Sequence, residues 1–341
     1  MPNIRDVAKA CGVSPMTVSF VLNSVPGQVS VQTRERVLQA VREMGYRPAA
    51  LEHARGQRVN TLGVLASLSG ATLYKFSYYN SILNGILTEA DRRHQNVTLF
   101  SHHLWTNTAR NLRTFCDGRC DGLLVVAPPI GSKLVRALRD RGIPCVLIGD
   151  SGDEPEYSSV DVDNSSAAFS LTGYLLDQGH RRIALLKGFA EMRSAVERET
   201  GFRQAHRKHG VAVDETLVAS GEYGEASGYE RARLLLVRPP AQRPTALFCG
   251  NDEIALGSLQ AAHDLGLSVP RDLSVTGFDD DPRAALSTPP LTTMRQPFDL
   301  LGKRAVEILL AGIREPAALP QQALLPTEFI ARGSVAPPPA G

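Results

Sequence analysis

Within residues 4–22, the apolar residues recur at the three- and four-residue intervals of a helix. They are Ile4, Val7 and Ala8 before a turn at Gly12, and Val18, Val21 and Leu22 after it. Ser14 followed by Pro15 is a typical helix start, with Ser14 as the N-cap. The pattern predicts a helix-turn-helix, and the outward side of its second helix has a shape that fits the major groove of DNA.

From residue 61 onward, short apolar runs alternate with longer amphipathic segments. The apolar runs predict strands at residues 61–65, 97–100, 122–126, 145–148, 183–186, 246–249 and 273–278. The amphipathic segments predict helices, among them 82–93, 165–178, 201–209 and 252–265. This alternation indicates parallel sheets with helices on both faces. Seven strands over about 270 residues fit two similar lobes better than one.

Charge is unevenly distributed along the chain. Of its 341 residues 43% are hydrophobic, enough for two or three domains with sizeable cores. Residues 1–58 contain eight Lys or Arg against four Asp or Glu, a net +4, whereas the remainder contains 29 against 31, a net −2. The positive amino-terminal part is therefore expected to contact a polyanion.

The cysteines do not predict a disulfide framework, because five is an odd number and three of them lie in apolar runs. Cys116 and Cys120 are spaced for one helical face, but no further Cys or His lies at a zinc-like spacing. We therefore expect reduced thiols and no metal site.

Several functional classes are disfavoured by missing motifs. The sequence has no phosphate-binding loop, no dinucleotide-binding glycine motif, no H-E-x-x-H and no G-x-S-x-G, and its one adjacent histidine pair, His102 and His103, is expected in a solvated loop. We therefore expect no enzyme activity and no cofactor. There is no export signal or apolar stretch long enough to span a bilayer, so a cytoplasmic protein without membrane contact is expected.

The amino-terminal residues resemble the LacI/GalR family of bacterial transcriptional regulators, whose signature is I-x-D-V-A-x-x-A-x-V-S-x-x-T-V-S-x-V-L-N. The matching positions are Ile4, Asp6, Val7, Ala8, Ala10, Val13, Ser14, Thr17, Val18, Ser19, Val21, Leu22 and Asn23. The match continues through residues 29–37, where Ser30 caps a third helix, and through 44–48. The alternative, a three-helix subdomain that binds no nucleic acid, does not explain so many fixed spacings.

This resemblance implies an amino-terminal three-helix helix-turn-helix domain followed by an α/β core of two doubly wound parallel-sheet lobes, similar to periplasmic sugar-binding proteins, with the ligand between the lobes. The implied bounds are 1–47 for the DNA-binding domain, 48–60 for a hinge, 61–163 and 292–323 for the amino-terminal lobe, 164–291 and 324–334 for the carboxyl-terminal lobe, and 335–341 for a disordered tail.

The residues of the first domain expected to contact DNA are Ser14, Pro15, Met16, Thr17, Ser19, Phe20, Asn23 and Arg34. Pro15, Met16 and Phe20 stand at base-reading positions, and none can make the bidentate hydrogen bonds that identify guanine or adenine. Met16 and Phe20 can, however, touch thymine methyl groups. Thr17, Ser19, Asn23 and Arg34 suit phosphate contacts, which position a protein without specifying a base sequence.

The hinge departs from the family pattern, in which a leucine wedge enters the minor groove and kinks the duplex. Aligned from residues 46–48, the position of the wedge holds Arg55, and Gly56 weakens the short helix. An arginine can enter a narrow minor groove without unstacking it. We therefore predict a weakly kinked operator, with Leu51 as an alternative, displaced wedge.

The effector residues that the resemblance implies are Tyr78, Tyr79, Asp150, Ser194, Arg198, Tyr223, Asn251 and Asp279. Arg198 belongs to an R-x-x-G-F phrase at a predicted helix start, where its guanidinium suits a polar ligand; an inter-helix salt bridge is the alternative. Asn251 offers a donor and an acceptor, next to Asp252 as the predicted N-cap. Tyrosine rings suit the apolar face of a sugar, although Tyr78 also fits a core position. Asp280 and Asp281 are expected to face solvent.

Together these features predict an effector-responsive transcriptional regulator, a repressor of carbohydrate-related genes that binds a near-palindromic double-stranded operator as a homodimer. The predicted effector is a small polar molecule, most simply a sugar, with a nucleoside or another metabolite as the alternative. A solute-binding protein for a transporter and an enzyme on the same core are disfavoured by the basic helix-turn-helix and by the absence of catalytic motifs.

Overall fold

The chain forms two compact units in a computed structural model that describes residues 3–22, 28–44, 58–66, 77–101, 104–105, 107–150 and 156–339. Unit 1 comprises Met1–Val160 and Asp299–Ala323, and unit 2 comprises Asp161–Phe298 and Leu324–Gly341. The chain therefore passes three times from one unit to the other. The domain and lobe bounds implied by the resemblance stay a prediction, since this division counts the first helices with unit 1.

The first three helices are α1 (Ile4–Cys11), α2 (Pro15–Leu22) and α3 (Val31–Glu43). Asn3 begins α1 with a capping box: its side chain accepts from the Asp6 amide, and the Asp6 carboxylate accepts from the Asn3 amide. Gly12 ends α1 in the left-handed conformation, with a φ of 63°. The apolar faces close over one small core that contains Val7, Ala8, Cys11, Val18, Val21, Leu22, Val37 and Val41. The predicted helix-turn-helix is confirmed.

The remaining elements alternate between strands and helices. Up to the first crossing between units they are β1 (Thr61–Ala66), α4 (Ser77–Arg92), β2 (Asn96–Phe100), α5 (Thr108–Phe115), β3 (Gly122–Val126), α6 (Lys133–Asp140), β4 (Cys145–Ile148) and β5 (Ser158–Val162). Next come α7 (Asn164–Asp177), β6 (Ile183–Leu186), α8 (Arg193–Lys208), β7 (Val218–Ala219), α9 (Glu225–Leu236), β8 (Ala246–Cys249), α10 (Asp252–Asp264), β9 (Ser274–Thr276), α11 (Pro282–Leu286) and β10 (Thr293–Arg295). The last are α12 (Phe298–Arg314), β11 (Gln322–Leu325) and β12 (Glu328–Ile330).

Two parallel sheets organise the units. A six-stranded sheet has the order β11–β5–β4–β3–β1–β2, and its pairs from β5 to β2 are parallel. The second sheet, in unit 2, has the order β7–β6–β8–β9 and is entirely parallel. Strands such as β3 and β8 are uniformly apolar because helices cover both of their faces. The predicted fold class is confirmed.

Helices α9 and α10 of unit 2 pack backbone against backbone. A Cβ atom added to Gly228 would lie 2.3 Å from the Ile254 carbonyl oxygen, and one added to Gly257 would lie 2.0 Å from that of Glu225. Each glycine therefore permits a helix contact that a side chain would block.

Several sequence expectations need correction in unit 2. Asp280 and Asp281 do not face solvent: Asp281 is 3% exposed, accepts from the Arg283 amide and pairs with its guanidinium, while Asp280 pairs with Arg295 and Arg332. Helix α8 begins at Arg193, well before residue 201, so Arg198 lies inside the helix.

The start of the predicted disordered tail also differs from the prediction. Val335 packs against the core of unit 2, and the Ala336 backbone exchanges hydrogen bonds with the Ser274 hydroxyl at 3.0 and 3.1 Å. The His180 ring lies 3.0 Å from the same carbonyl oxygen. These contacts give the backbone of residue 336 partners that a disordered segment lacks.

Two expectations in unit 1 are also corrected. Tyr78 and Tyr79 lie within the first turn of α4 rather than before it. Helix α5 ends at Phe115, so Cys116 and Cys120 do not share a helical face. All five cysteines are free thiols, as expected. Of the helices that the structure describes, none combines the length and the apolar character needed to cross a membrane.

Candidate functional sites

The exposed side of α2 is largely apolar. The Ser14 hydroxyl accepts from the Thr17 amide at 3.0 Å and lies 2.9 Å from the Thr17 hydroxyl, so these two polar groups satisfy each other at the helix start. Met16 is 65% exposed, Pro15 is exposed, and Phe20 is half-buried. The outward surface of the helix therefore presents hydrocarbon and sulfur atoms rather than strong donors.

Arg34 joins two helices of this domain. Its guanidinium donates to the Val21 carbonyl oxygen at 3.2 Å, at the end of α2 where helix carbonyls have no partner within the helix. Its predicted phosphate contact, like the DNA contact of the half-buried Ser19, stays a prediction. Asn23, Leu51 and Arg55 lie outside the described residues.

Arg198 is the centre of a buried cluster in unit 2. The side chain is on α8, and the residue is 4% exposed. Its Nε donates to Asn164 Oδ1 at 2.9 Å, another nitrogen donates to the Gly250 carbonyl oxygen, and the guanidinium carbon lies 3.7 Å from the centre of the Phe278 ring. Its partner on another helix, Asn164, is neutral, so within the described part of the chain Arg198 does not form the alternative inter-helix salt bridge. The guanidinium is held in place without being neutralised.

Asp279 lies near this guanidinium. It is 8% exposed, and its backbone has a positive φ of 126°, held by hydrogen bonds to the backbones of Met294 and Gln296. Gln296 Nε2 donates to Oδ1 at 2.6 Å. Burial raises the pKa of this carboxyl well above its ordinary value, and the charge of Arg198 acts in the opposite direction. No group in the described chain donates to Oδ2, which therefore has hydrogen-bonding capacity left for a ligand.

Tyr223 and Ser194 add a ring and a hydroxyl to the cluster. The phenol oxygen of Tyr223 lies 3.2 Å from Ser194 Oγ, and the Phe189 ring stands edge-on at 5.9 Å. The tyrosine ring lies on the backbone of Gly188, where an added Cβ would be 2.0 Å from Cζ. Burial raises the pKa of the Tyr223 phenol, which therefore stays neutral, while the nearby charge of Arg198 lowers it.

Asn251, not Asp252, caps α10. The Asn251 side-chain oxygen accepts from the Ile254 amide at 2.9 Å, and the predicted cap, Asp252, is the first residue of the helix. Asp252 is 1% exposed and accepts from the Thr293 hydroxyl at 2.6 Å and the Asp281 amide at 2.7 Å. Burial raises its pKa to about 7. The side-chain nitrogen of Asn251, Nδ2, has no hydrogen-bond partner among the residues described.

The five candidates in unit 2 follow the carboxyl ends of its parallel strands. They are Ser194, Arg198, Tyr223, Asn251 and Asp279. Such ends meet at one edge of a sheet, where ligands bind in this architecture. The Arg198 guanidinium stands over the ring of Phe278, the residue directly before Asp279, so these two candidates come from neighbouring positions. Sequence reasoning missed Asn164, Phe278 and Gln296; of these, Asn164 is a polar residue two positions after β5.

Unit 1 contains the other three candidates. Tyr78 and Tyr79 have their rings edge-to-face at 5.3 Å, and the Tyr78 hydroxyl lies against Gly149, where an added Cβ would be 2.1 Å away. Asp150, 6% exposed, follows that glycine. Tyr79 borders a small cavity with the apolar residues Val64 and Ile82. Their contact with an effector stays a prediction.

No group of three potential metal ligands occurs in the part of the chain that the structure describes. The adjacent histidines His102 and His103 lie outside the described residues, so their expected place in a solvated loop stays a prediction. Burial raises the pKa of Cys116, Cys145 and Cys249 to about 12, which disfavours a reactive thiolate at these positions.

Comparison with known proteins supports both the helix-turn-helix and the parallel-sheet part of the chain. Residues 3–49 match the family of bacterial regulatory proteins, lacI family, and residues 172–335 match a periplasmic binding protein-like domain. The HTH-type transcriptional repressor PurR of Escherichia coli is 34% identical over 347 residues, covering 99% of this chain and 98% of that protein.

Solved structures are similar over nearly the whole chain. A complex of the transcriptional regulator CelR with cellobiose is 32% identical with a TM-score of 0.77, covering 98% of this chain and 100% of that one. The lac repressor dimer bound to operator and the anti-inducer ONPF is 26% identical with a TM-score of 0.72, covering 98% and 99%. The helix-turn-helix, the two parallel sheets and these full-length similarities show that the chain belongs to the lacI family of bacterial regulatory proteins, DNA-binding regulators that respond to an effector.

Proposed function

We propose that this regulator represses carbohydrate-related genes, binds a near-palindromic operator as a homodimer, and responds to a small uncharged sugar. The basic first 58 residues, net +4, supply the attraction to DNA phosphates. A single three-helix unit binds DNA weakly, so pairing across two half-sites favours a dimer. The cytoplasmic location follows from this role as a prediction.

The observation that carries the sugar proposal is the fixed guanidinium of Arg198 beside the partly unsatisfied carboxyl of Asp279. A sugar hydroxyl both donates and accepts, so it can bridge such a pair. Arg198 already donates from two nitrogens to Asn164 and Gly250, which leaves fewer of its donors for a bidentate contact with an anionic ligand. The Tyr223 ring offers an apolar surface for the C–H face of a sugar. The cellobiose in the similar CelR structure supports the same ligand class.

The test combines operator binding with ligand titration. Operator fragments are selected from genomic DNA with the purified full-length protein, and their binding is measured by fluorescence anisotropy in the presence of cellobiose, other mono- and disaccharides, or adenosine. We expect a sugar to change operator affinity and adenosine to leave it unchanged. A response to adenosine alone would replace the sugar proposal with the nucleoside alternative.

Variants then assign the response to the cluster. Arg198→Ala and Asp279→Ala each leave a ligand group unpaired at a cost of roughly 1–3 kcal/mol, so sugar affinity should fall by roughly 5- to 150-fold while operator affinity without sugar is kept. Arg207→Ala, on the exposed side of the same helix α8, is the matched control. Unchanged calorimetric affinity in both cluster variants would remove Arg198 and Asp279 from the site.

A further inference from the structure

Arg231 on α9 makes all of its recorded hydrogen bonds to backbone carbonyl oxygens. Its Nε donates to Ser227 at 3.1 Å, one terminal nitrogen donates to Ala219 at 3.2 Å and to Lys187, and the other donates to Glu222 at 2.9 Å. No carboxylate within the described chain lies at ion-pair distance from it. The side chain is half-buried, so the arginine serves as a fork of donors rather than as half of a salt bridge.

Apart from that of Ser227, one turn earlier in α9, these carbonyls lie at or just after the ends of two strands, at the carboxyl edge of the unit 2 sheet. Lys187 directly follows β6, Ala219 ends β7, and Glu222 lies in the loop after β7. The Lys187 amide also donates to the Ala219 carbonyl, at 3.0 Å. A Cβ added to Gly221 would lie 2.9 Å from Arg231 Nε, so the side chain packs directly against the second loop. One guanidinium therefore ties the two loops together.

The two loops carry the ring and the surface on which it lies. Gly188 follows Lys187, and Tyr223 follows Glu222, and the Tyr223 ring is seated on the Gly188 backbone. Ser194 Oγ lies 3.2 Å from the phenol oxygen of this tyrosine. Because Arg231 contacts the residue before each member of this stack, it fixes where the tyrosine ring stands.

We propose that Arg231 is a positioning residue that holds the Tyr223 wall of the effector site by bridging the loops after β6 and β7; the importance of this wall rests on the function proposed above. A lysine cannot replace it, because a single ammonium does not span carbonyls on two loops in the way a planar fork does. Arg231 itself does not touch the effector in this scheme.

The test uses the full-length protein without effector, so it does not depend on which effector is correct. Hydrogen exchange of the Lys187 amide is measured in the wild type, Arg231→Lys, Arg231→Gln and the control Arg233→Gln, which changes an exposed arginine on the same helix. Loss of the bridge should accelerate exchange at Lys187 about tenfold in both Arg231 variants, while the β8 amides keep their protection. Arg233→Gln should match the wild type.

The ionisation of Tyr223 supplies a second readout with a diagnostic sign. The phenol is titrated by ultraviolet difference spectroscopy, in which the spectrum of each variant is compared with that of the same variant carrying Tyr223→Phe. Loss of the Arg231 charge alone would raise the Tyr223 pKa further, since that charge lowers it. Loosening of the wall admits water and should instead lower the pKa toward its ordinary value, in Arg231→Lys as well as in Arg231→Gln.

Unchanged Lys187 exchange in Arg231→Gln would overturn the proposal, as would a Tyr223 pKa that rises in that variant and stays constant in Arg231→Lys. Uniformly faster exchange across unit 2 would also overturn it, because Arg231 would then contribute only to the general stability of the unit.

Discussion

The Asp252 carboxyl makes the stability of unit 2 depend on pH. Burial, at 1% exposure, raises its pKa from 3.8 to about 7, although the hydrogen bonds from Thr293 and the Asp281 amide favour the charged form. Since the pKa is raised on folding, the stabilisation is complete below about pH 4, where the unfolded carboxyl is also protonated, and is lost as the pH rises to about 7. One pKa unit corresponds to about 1.4 kcal/mol, so the full loss is about 4 kcal/mol.

Asp252→Asn should remove this dependence, because the amide is neutral at every pH. Its oxygen can accept from the Asp281 amide while its nitrogen donates to the Thr293 hydroxyl, which accepts as readily as it donates. The variant should therefore be more stable than the wild type, and its advantage at pH 8 should exceed that at pH 5 by about 3 kcal/mol. Urea unfolding followed by circular dichroism at the two pH values measures this difference.

The control is Asp264→Asn, at the exposed end of the same helix α10, where hydrogen bonds lower the pKa of the carboxyl. That variant should gain no stability at pH 8. If Asp252→Asn instead destabilises the protein equally at pH 5 and pH 8, the Asp252 carboxylate is ionised throughout this range and its hydrogen bonds outweigh the cost of its burial.

Three further predictions test other parts of the molecule. Gly228→Ala should lower the free energy of unfolding, measured with urea, by about 1–3 kcal/mol, because its Cβ would clash with the Ile254 carbonyl oxygen. Gly312→Ala, with open space around its Cβ, should be neutral or slightly stabilising. Equal effects of the two substitutions would refute the close helix contact. Operator binding in mobility-shift titrations should weaken steeply with salt and disappear when residues 1–47 are deleted, and a flat salt response would count against phosphate neutralisation. In a circular-permutation assay the operator should be only weakly bent, and a sharp kink that survives Leu51→Ala would show the hinge prediction to be wrong.

The sheets could be predicted from sequence because their strands are buried on both faces. Runs such as residues 122–126 and 246–249 are continuously apolar, and that signal is local. The helix-turn-helix could be predicted equally well, because Gly12 marks its turn and Ser14 marks the start of its second helix. Both features depend on residues within a few positions of one another.

The surroundings of the site residues could not be predicted in the same way. Asp281 was expected to face solvent because its burial depends on a contact that is distant in sequence: its amide donates to the carboxylate of Asp252, 29 positions earlier. The partners of Arg198, Asn164 and Gly250, are 34 and 52 positions away. Sequence patterns indicated which polar residues follow strands, whereas burial and pairing depend on contacts across the fold.

The last strand and the residues after it have a consequence for synthesis of the protein. β12 pairs with β10, Ser334 bonds to the backbones of Val275 and Thr292, and Ala336 bonds to Ser274. A ribosome produces all of these partners long before it produces residues 328–336. The nascent chain of unit 2 therefore keeps one edge of β10 unpaired until residues 328–336 have been synthesised, so this unit cannot complete its folding before they appear.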